Sequence, residues 1–221
     1  MKNFLLIAAA AAALAPFASQ AESNFVTVAN GSTTPPAVAK LNFKIVVPKV
    51  LFLQVGAGSS MATLGTVNTV EFNVPGASIG SGPVGGVAGT GGDLANGGVT
   101  VRVLGNSGDV SLSNKTLGRL INTGVSGAPT VPWTDIIVTP GPLATTTTDY
   151  DNVTPLPHPP FNNTDLIGGT SATATLLTAS GGLVRREGSW TFAYANTKVL
   201  PAGTYGDVTG NGEVTYTATA P

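Results

Sequence analysis

The sequence contains no cysteine, a single histidine and few charged residues. Without cysteine the chain can form neither a disulfide nor a thiolate metal site, and His158 alone cannot build a histidine cluster around a metal. Only 10% of the residues are charged and the formal net charge is −1, so the surface lacks the basic field that holds nucleic acid. The sequence therefore predicts no cofactor, no metal site and no nucleic-acid partner.

An apolar run near the N-terminus is typical of an export signal. Lys2 supplies a positive charge, residues 4–17 are apolar, and Ser19 and Ala21 place small residues before a cleavage position. The run is shorter than the roughly 20 residues that span a bilayer. We expect residues 1–21 to be removed, which leaves a net charge of −2 and no membrane span. The exported chain would then reside in the periplasm, at the cell surface or outside the cell.

The strongest pattern for the fold lies in the last stretch, Ser189–Pro221. Trp190, Phe192 and Tyr194 alternate with smaller residues, and residues 214–218 alternate Val, Tyr and Ala with threonine. A period of two with aromatic and β-branched residues predicts strands that bury one face, so we expect the three aromatic residues in the core. Turn residues are frequent, with 29 glycines and 16 prolines. Together these features predict an all-β fold, an immunoglobulin-like β-sandwich of about eight to ten strands.

Apolar residues also alternate over Leu41–Val55, where every odd position except Lys49 is apolar. Pro48 cannot donate to a strand ladder, so we expect one long strand with a break or bulge there. This strand opens a single sandwich domain over residues 40–221. Residues 22–39 precede it as an N-terminal extension.

Shorter patterns predict the remaining strands and loops. The strands are Thr66–Val74, Val99–Leu104, Val110–Ser113, Trp133–Val138 and Ala172–Leu177. Gly105–Gly108 predicts a hairpin between the second and third of these, Arg185–Ser189 a connection, and Gly210–Gly212 a hairpin turn. Residues 76–98, with ten glycines, and residues 140–163, rich in proline and threonine, predict two long irregular loops.

Three motifs match enzyme or metal signatures in their letters but not in their context. Gly76–Gly80 has the form G-x-S-x-G, but no helix pattern follows it and only His158 could take a serine proton. Gly80–Gly85 has the form G-x-G-x-x-G, but Pro83 opposes the helix that would hold a pyrophosphate. Asp207–Gly212 resembles the start of a calcium loop whose acid at position 12 is replaced by Ala218. We therefore predict that the protein is not an enzyme.

Three alternatives to purely structural roles stay open. The acidic cluster Asp149–Asn152 could bind calcium. Acidic residues could pair for glycoside hydrolysis, although their spacing gives no support; they are Asp135, Asp149, Asp151, Asp165 and Glu187. Aromatic residues could form a sugar-stacking platform, although aromatic residues at alternating strand positions are more often core; they are Trp133, Trp190, Tyr194 and Tyr205.

Four stretches carry a resemblance to known proteins: Phe43–Gly56, Trp190–Asn196, Pro201–Tyr205 and Val214–Ala218. Together they resemble a family of exported, largely uncharacterised proteobacterial proteins. Their closing strands look like those of chaperone–usher fimbrial subunits and of WxL-type surface domains. The resemblance implies an immunoglobulin-like sandwich that acts at the cell surface through strand exchange or attachment. The chain departs from the fimbrial pattern because it has no disulfide and because Tyr216 is not the penultimate residue.

This resemblance implies a non-enzymatic structural or adhesive subunit, such as a fimbrial (pilus) subunit in cell adhesion. Its partners would be other copies of the chain or related surface subunits, with a periplasmic chaperone as a further candidate. Phe25, Val26 and Val28 are the candidate residues of a donated strand, and Val214 and Tyr216 those of the edge that receives it. The alternative is a self-contained secreted or periplasmic module that binds glycans.

Overall fold

A computed structural model describes residues 23–59, 61–62, 65–82, 86–162, 169–171, 173–207 and 209–221. The chain divides into two units, of which the first ends at Pro48 and the second spans Lys49–Pro221. The predicted signal peptide, residues 1–21, lies outside the described residues. Among the described residues, no helix has the length and apolar character needed to cross a membrane.

Strands make up the framework of the second unit. In chain order they are β1 (Leu51–Val55), β2 (Val70–Glu71), β3 (Val87–Ala88), β4 (Thr90–Gly91), β5 (Gly98–Gly105), β6 (Val110–Thr116), β7 (Leu120–Ile121), β8 (Thr130–Val131), β9 (Ile136–Gly141), β10 (Gly169–Thr170), β11 (Thr175–Leu177), β12 (Val184–Tyr194) and β13 (Val214–Thr219). Six of these strands have only two residues, and the seven longer ones all lie in two main antiparallel sheets.

The first main sheet is built around β12, the longest strand. One edge of β12 pairs with β5 over Val184–Thr191 and then with β3, and its other edge pairs with β9. β1 pairs with the far edge of β5, from Leu51 opposite Gly105 to Val55 opposite Val101. In the second main sheet, β6 is central: it pairs with β13 along one edge and with β10 and β11 along the other.

The two sheets enclose an apolar core, as the alternation predicts. Val101 and Val103 of β5, Leu112 of β6 and Trp190 of β12 are all fully buried in a shared cluster. At the other end of β12, Tyr194 is buried within a second cluster, and the half-buried Phe192 packs against both clusters. Since side chains of one face of each sheet meet in this cluster, the prediction of an all-β sandwich is confirmed.

The predicted hairpin of Val99–Leu104 with Val110–Ser113 is wrong. β5 lies in the first sheet and β6 in the second, so the turn after Gly105 crosses between sheets. The reason is that β1 and β12 take up both edges of β5, which leaves none for β6. Gly210–Gly212 likewise forms a turn but closes no hairpin, because β13 pairs with β6 and not with β12.

Several predicted boundaries are also corrected. β12 includes Arg185–Ser189, the stretch that we expected to be a connection. Only Val70–Glu71 of the strand predicted at 66–74 is a strand, and the strand predicted from Trp133 begins at Ile136 after a 3-10 turn. The strand predicted at 172–177 covers Thr175–Leu177, and Ala172 lies outside the described residues.

The two predicted loops differ from each other. Residues 76–98 are not irregular throughout, because they contain β3 and β4 and a 3-10 turn at Gly76–Ser78. Gly97 has a φ of +68°, and a Cβ on it would lie 2.6 Å from the Cα of Gly89. The backbones at Gly89 and Gly97 can approach this closely because neither residue has a side chain. Residues 142–162 form no strand apart from a single bridge between Asp151 and Arg186.

The first unit, of which residues 23–48 are described, contains a turn at Asn30–Ser32 and neither helix nor strand within them. The strand predicted over Leu41–Val55 is therefore wrong for its first ten residues, since β1 begins at Leu51. Strand structure needs a neighbour that takes up the backbone groups, and the pairing with β5 starts only at Leu51. Pro48 lacks the N–H that a ladder would use.

Candidate strand-addition edge

The two main sheets each end in a strand with one open edge. Among the described residues, β1 pairs only with β5 and β13 pairs only with β6. These two strands lie on the same side of the sandwich, where Leu53 and Val55 of β1 and Tyr216 and Ala218 of β13 pack against the same core cluster. The β1–β13 margin is the strip along which these two strands are neighbours, and their Cα atoms come within 8 Å of each other there.

One end of this margin is held together by the last residue. Lys49 Nζ donates a hydrogen bond to the Pro221 carbonyl at 3.1 Å, and the Ser107 hydroxyl donates to the same oxygen at 3.3 Å. A cavity of about 220 Å³ opens there, lined by Lys49–Leu51, Ser107, Ala220 and Pro221.

β13 itself alternates strictly. Val214, Tyr216 and Ala218 are half-buried, and the three threonines between them are exposed. The inward side chains become small toward the C-terminus, because Ala218 and Ala220 follow Tyr216. β13 also carries no charged residue, whereas charge is a common means of protecting an edge strand. The backbone groups on the outer edge of β13 therefore have no strand partner among the described residues.

Tyr216 is anchored by an aromatic cluster under β13. Its hydroxyl is hydrogen-bonded to Nε2 of His158 at 2.8 Å, and its ring lies 5.1 Å from that of Trp190. His158 in turn makes an edge contact with Trp190 at 4.6 Å. Burial lowers the pKa of His158 to about 4 and raises the pKa of Tyr216 above its usual range, so both groups are neutral at pH 7. The single histidine therefore supports the core under β13.

The predicted site residues fall in both units. Val214 and Tyr216 lie together on the inward face of β13. Phe25 and Val28 are exposed in the first unit, by 88% and 40%, and Val26 is half-buried. Leu41–Val47 was not among the predicted site residues, because its alternation was assigned to the long strand. Its four alternating apolar residues form a longer pattern than Phe25–Val28 offers.

The acidic candidates are engaged in the fold. Glu187 is fully buried, accepts a hydrogen bond from Arg102 Nε at 2.9 Å and another from the Thr147 N–H. Burial would raise its pKa, but these hydrogen bonds outweigh burial and hold the pKa of Glu187 below its usual value. Asp151 pairs with Arg186 at 3.4 Å, and the exposed Asp149 lies 4.0 Å from Arg185. Asp135 is half-buried beside β9, and Asp165 lies outside the described residues.

The calcium candidates use their oxygens locally. Asp207 Oδ1 accepts hydrogen bonds from the N–H groups of Thr209 and Gly210 and from the Thr209 hydroxyl. The Asn152 amide exchanges hydrogen bonds with the Leu143 backbone. Within the part of the chain that the structure describes, no three His, Asp or Glu side chains are grouped as a metal site would require.

The aromatic candidates lie largely inside. Trp190 is fully buried and donates its indole N–H to the Leu156 carbonyl, and Trp133 is 7% exposed and donates to the Gly118 carbonyl. Trp133 also lines a shallow cleft of about 370 Å³ together with Ile136, His158 and Phe161. With both indoles buried, neither presents the broad free face on which a sugar ring would stack.

The comparisons with known proteins add no relative. The chain matches no protein-family model, and no curated protein and no solved structure is significantly similar to it.

Proposed function

We propose that this chain is a non-enzymatic, exported structural or adhesive subunit of a bacterial surface assembly, in which copies join by strand addition. The observation that supports this proposal best is the open edge of β13 beside the open edge of β1. In strand addition, main-chain hydrogen bonds to an exposed edge give affinity, and alternate side chains fill pockets along it. The half-buried inward face of β13 is suited to receive such side chains.

Three further observations agree with this proposal. The described residues of the first unit form no strand and carry exposed apolar side chains, of which Phe25 is one. A hydrolase would need free acidic residues, but three of the candidates form ion pairs with arginine: Asp149, Asp151 and Glu187. Because Trp133 and Trp190 are buried, we favour assembly over the glycan-binding alternative.

The test is the oligomeric state of the chain that begins at residue 22, measured by sedimentation and electron microscopy over a wide concentration range. We expect polymers whose size grows with concentration. Ala218→Lys would place a charge on the inward face of the β13 edge and stop their growth. Thr217→Lys, its matched control, adds the same charge to the exposed face of β13 and should leave assembly intact.

Circular dichroism of the Ala218→Lys variant checks that the sandwich still forms. A chain that stays monomeric at every concentration would overturn the proposal, and so would equal assembly of both lysine variants.

A further inference from the structure

The chain contains three Asn-Gly pairs, which are Asn30–Gly31, Asn96–Gly97 and Asn211–Gly212. In such a pair the backbone nitrogen after the asparagine can attack the side-chain carbonyl carbon, because glycine has no Cβ that hinders the approach. The reaction needs a backbone that can bring the two atoms together and a glycine N–H that can lose its proton. The three pairs differ in how far the structure meets these needs.

Asn30 and Gly31 lie in an exposed turn of the first unit. The turn is closed by one hydrogen bond, from the Ser32 N–H to the Ala29 carbonyl at 3.1 Å. Within the described part of the chain, neither the Asn30 side chain nor the Gly31 N–H has a hydrogen-bond partner. A Cβ placed on Gly31 would meet no atom within 4 Å, so the space around the pair is open. Both reacting groups are therefore accessible.

The backbone holds the attacking nitrogen in place at the second pair. Gly97 is buried, and its N–H donates a hydrogen bond to the Gly91 carbonyl at 3.1 Å. Asn96 has a φ of +49° in a turn that is closed by a hydrogen bond from the Gly98 N–H to the Ala95 carbonyl at 2.8 Å. Attack on Asn96 would have to break the hydrogen bond to Gly91 and displace packed backbone.

Hydrogen bonds hold both reacting groups at the third pair. The Gly212 N–H donates to the Asp207 carbonyl at 2.6 Å, and the Asn211 side-chain amide donates to the Arg119 carbonyl at 3.2 Å. Attack on Asn211 would need both of these hydrogen bonds to open. The second and third pairs are thus internal controls for the exposed first pair.

We propose that Asn30 is a site of covalent modification, at which the chain converts its own asparagine to aspartate and isoaspartate with water as the co-reactant. The Gly31 nitrogen forms a bond to Cγ of Asn30 while the bond from Cγ to Nδ2 breaks, and the Gly31 proton leaves with Nδ2 as ammonia. Water then opens the cyclic imide. Addition of water at Cγ gives aspartate, and addition at the backbone carbonyl carbon gives isoaspartate, without any change of oxidation state.

This modification would change both the charge and the backbone of the first unit. Residues 23–48 contain two basic residues, Lys40 and Lys44, and no acidic residue. A carboxylate at residue 30 would lower their net charge from +2 to +1. The isoaspartyl product also adds a carbon to the main chain between Phe25 and Lys40. The reaction is independent of the proposed assembly, because it needs only a single chain.

Peptide mass spectrometry of the chain that begins at residue 22 tests the proposal. The protein is incubated from neutral to mildly alkaline pH and digested at intervals, and the mass of each Asn-Gly peptide reports its conversion. We expect Asn30 to react at least about tenfold faster than Asn96 or Asn211, since each of those must first lose a hydrogen bond. The rate at Asn30 should rise with pH, because the attacking nitrogen must lose its proton.

A variant and a denatured sample complete the experiment. Gly31→Ala places a Cβ beside the attacking nitrogen and should slow the reaction at Asn30 without changing the rates at Asn96 and Asn211. In denaturant the three rates should converge, because the hydrogen bonds at Gly97 and Gly212 are then lost.

Two results would overturn the proposal. One is equal conversion of the three pairs in a chain whose circular dichroism shows an intact sandwich. The other is a difference in rate that persists unchanged in denaturant, because the local sequence and not the structure would then set the order.

Discussion

Residues 41–47 and residues 51–55 carry the same alternation of apolar side chains, but they differ in strand pairing and in burial. In β1, Leu53 and Val55 pack against the core and every residue is paired with β5. In the first unit, Phe43 and Ile45 are almost fully exposed and their stretch forms no strand. Alternation therefore decides which side chains would share one face of a strand. The segment becomes a strand only where a neighbouring strand takes up its backbone hydrogen bonds.

Polar side chains also contribute to the pairing of β1 with its neighbouring strand. Gln54 of β1 lies opposite Arg102 of β5, which lies opposite Glu187 of β12. Arg102 donates to the side-chain Oε1 of Gln54 at 3.2 Å and to Oε2 of Glu187 at 2.9 Å, so a row of side chains crosses three strands. Residues 41–47 have no strand register, and Asn42 and Lys44 are exposed there.

The largest loss of unfolding free energy should come from truncating a large side chain in the core. Trp190→Ala removes a fully buried indole and the hydrogen bond to the Leu156 carbonyl, which should cost about 3–5 kcal/mol of unfolding free energy. Phe43→Ala deletes an aromatic ring that is 86% exposed and should cost almost nothing in the monomer. Urea unfolding at low protein concentration measures both. Equal losses would mean that Phe43 is packed within its own chain.

A smaller effect should follow acidification, through the histidine beneath β13. Burial holds the pKa of His158 at about 4, whereas an unfolded chain has the ordinary value near 6.5. The unfolded state therefore binds the proton first. The stabilisation is complete above about pH 6.5 and is lost as the pH falls toward 4, by about 3 kcal/mol in total. Unfolding free energies measured across this range give the slope.

His158→Phe serves as the reference for that slope. It keeps a ring against Trp190 and Tyr216 but cannot titrate, so its stability should fall less between pH 6.5 and 4 than that of the unsubstituted chain. Tyr216→Phe removes the hydroxyl partner and should retain the slope. An identical pH dependence of the unsubstituted chain and His158→Phe would show that His158 is solvated, and that β13 is open to water on its inner side as well.

The sequence predicted the fold class better than it predicted which strands pair with each other. A period of two reports which side chains share a face, so the buried positions of Trp190 and Tyr194 followed from local pattern. Pairing depends on which edges are already occupied, and nothing local to β5 and β6 reveals that β1 and β12 flank β5. The candidate edge at Val214 and Tyr216 came from the pattern and its low charge. The strand was wrongly predicted over residues 41–50 because their alternation continues into β1.

The smallest predicted effects compare serine substitutions in the two halves of the alternating run, residues 51–55 and residues 41–47. Leu53→Ser replaces a half-buried side chain that packs on the core and should cost about 1–2 kcal/mol of unfolding free energy. Ile45→Ser makes a similar change at a side chain that is 87% exposed, and should alter the stability of the monomer by less than about 0.5 kcal/mol. Thermal unfolding of the monomer at low protein concentration, measured for both variants, checks this difference: an equal loss of stability in both would mean that Ile45 packs within its own chain.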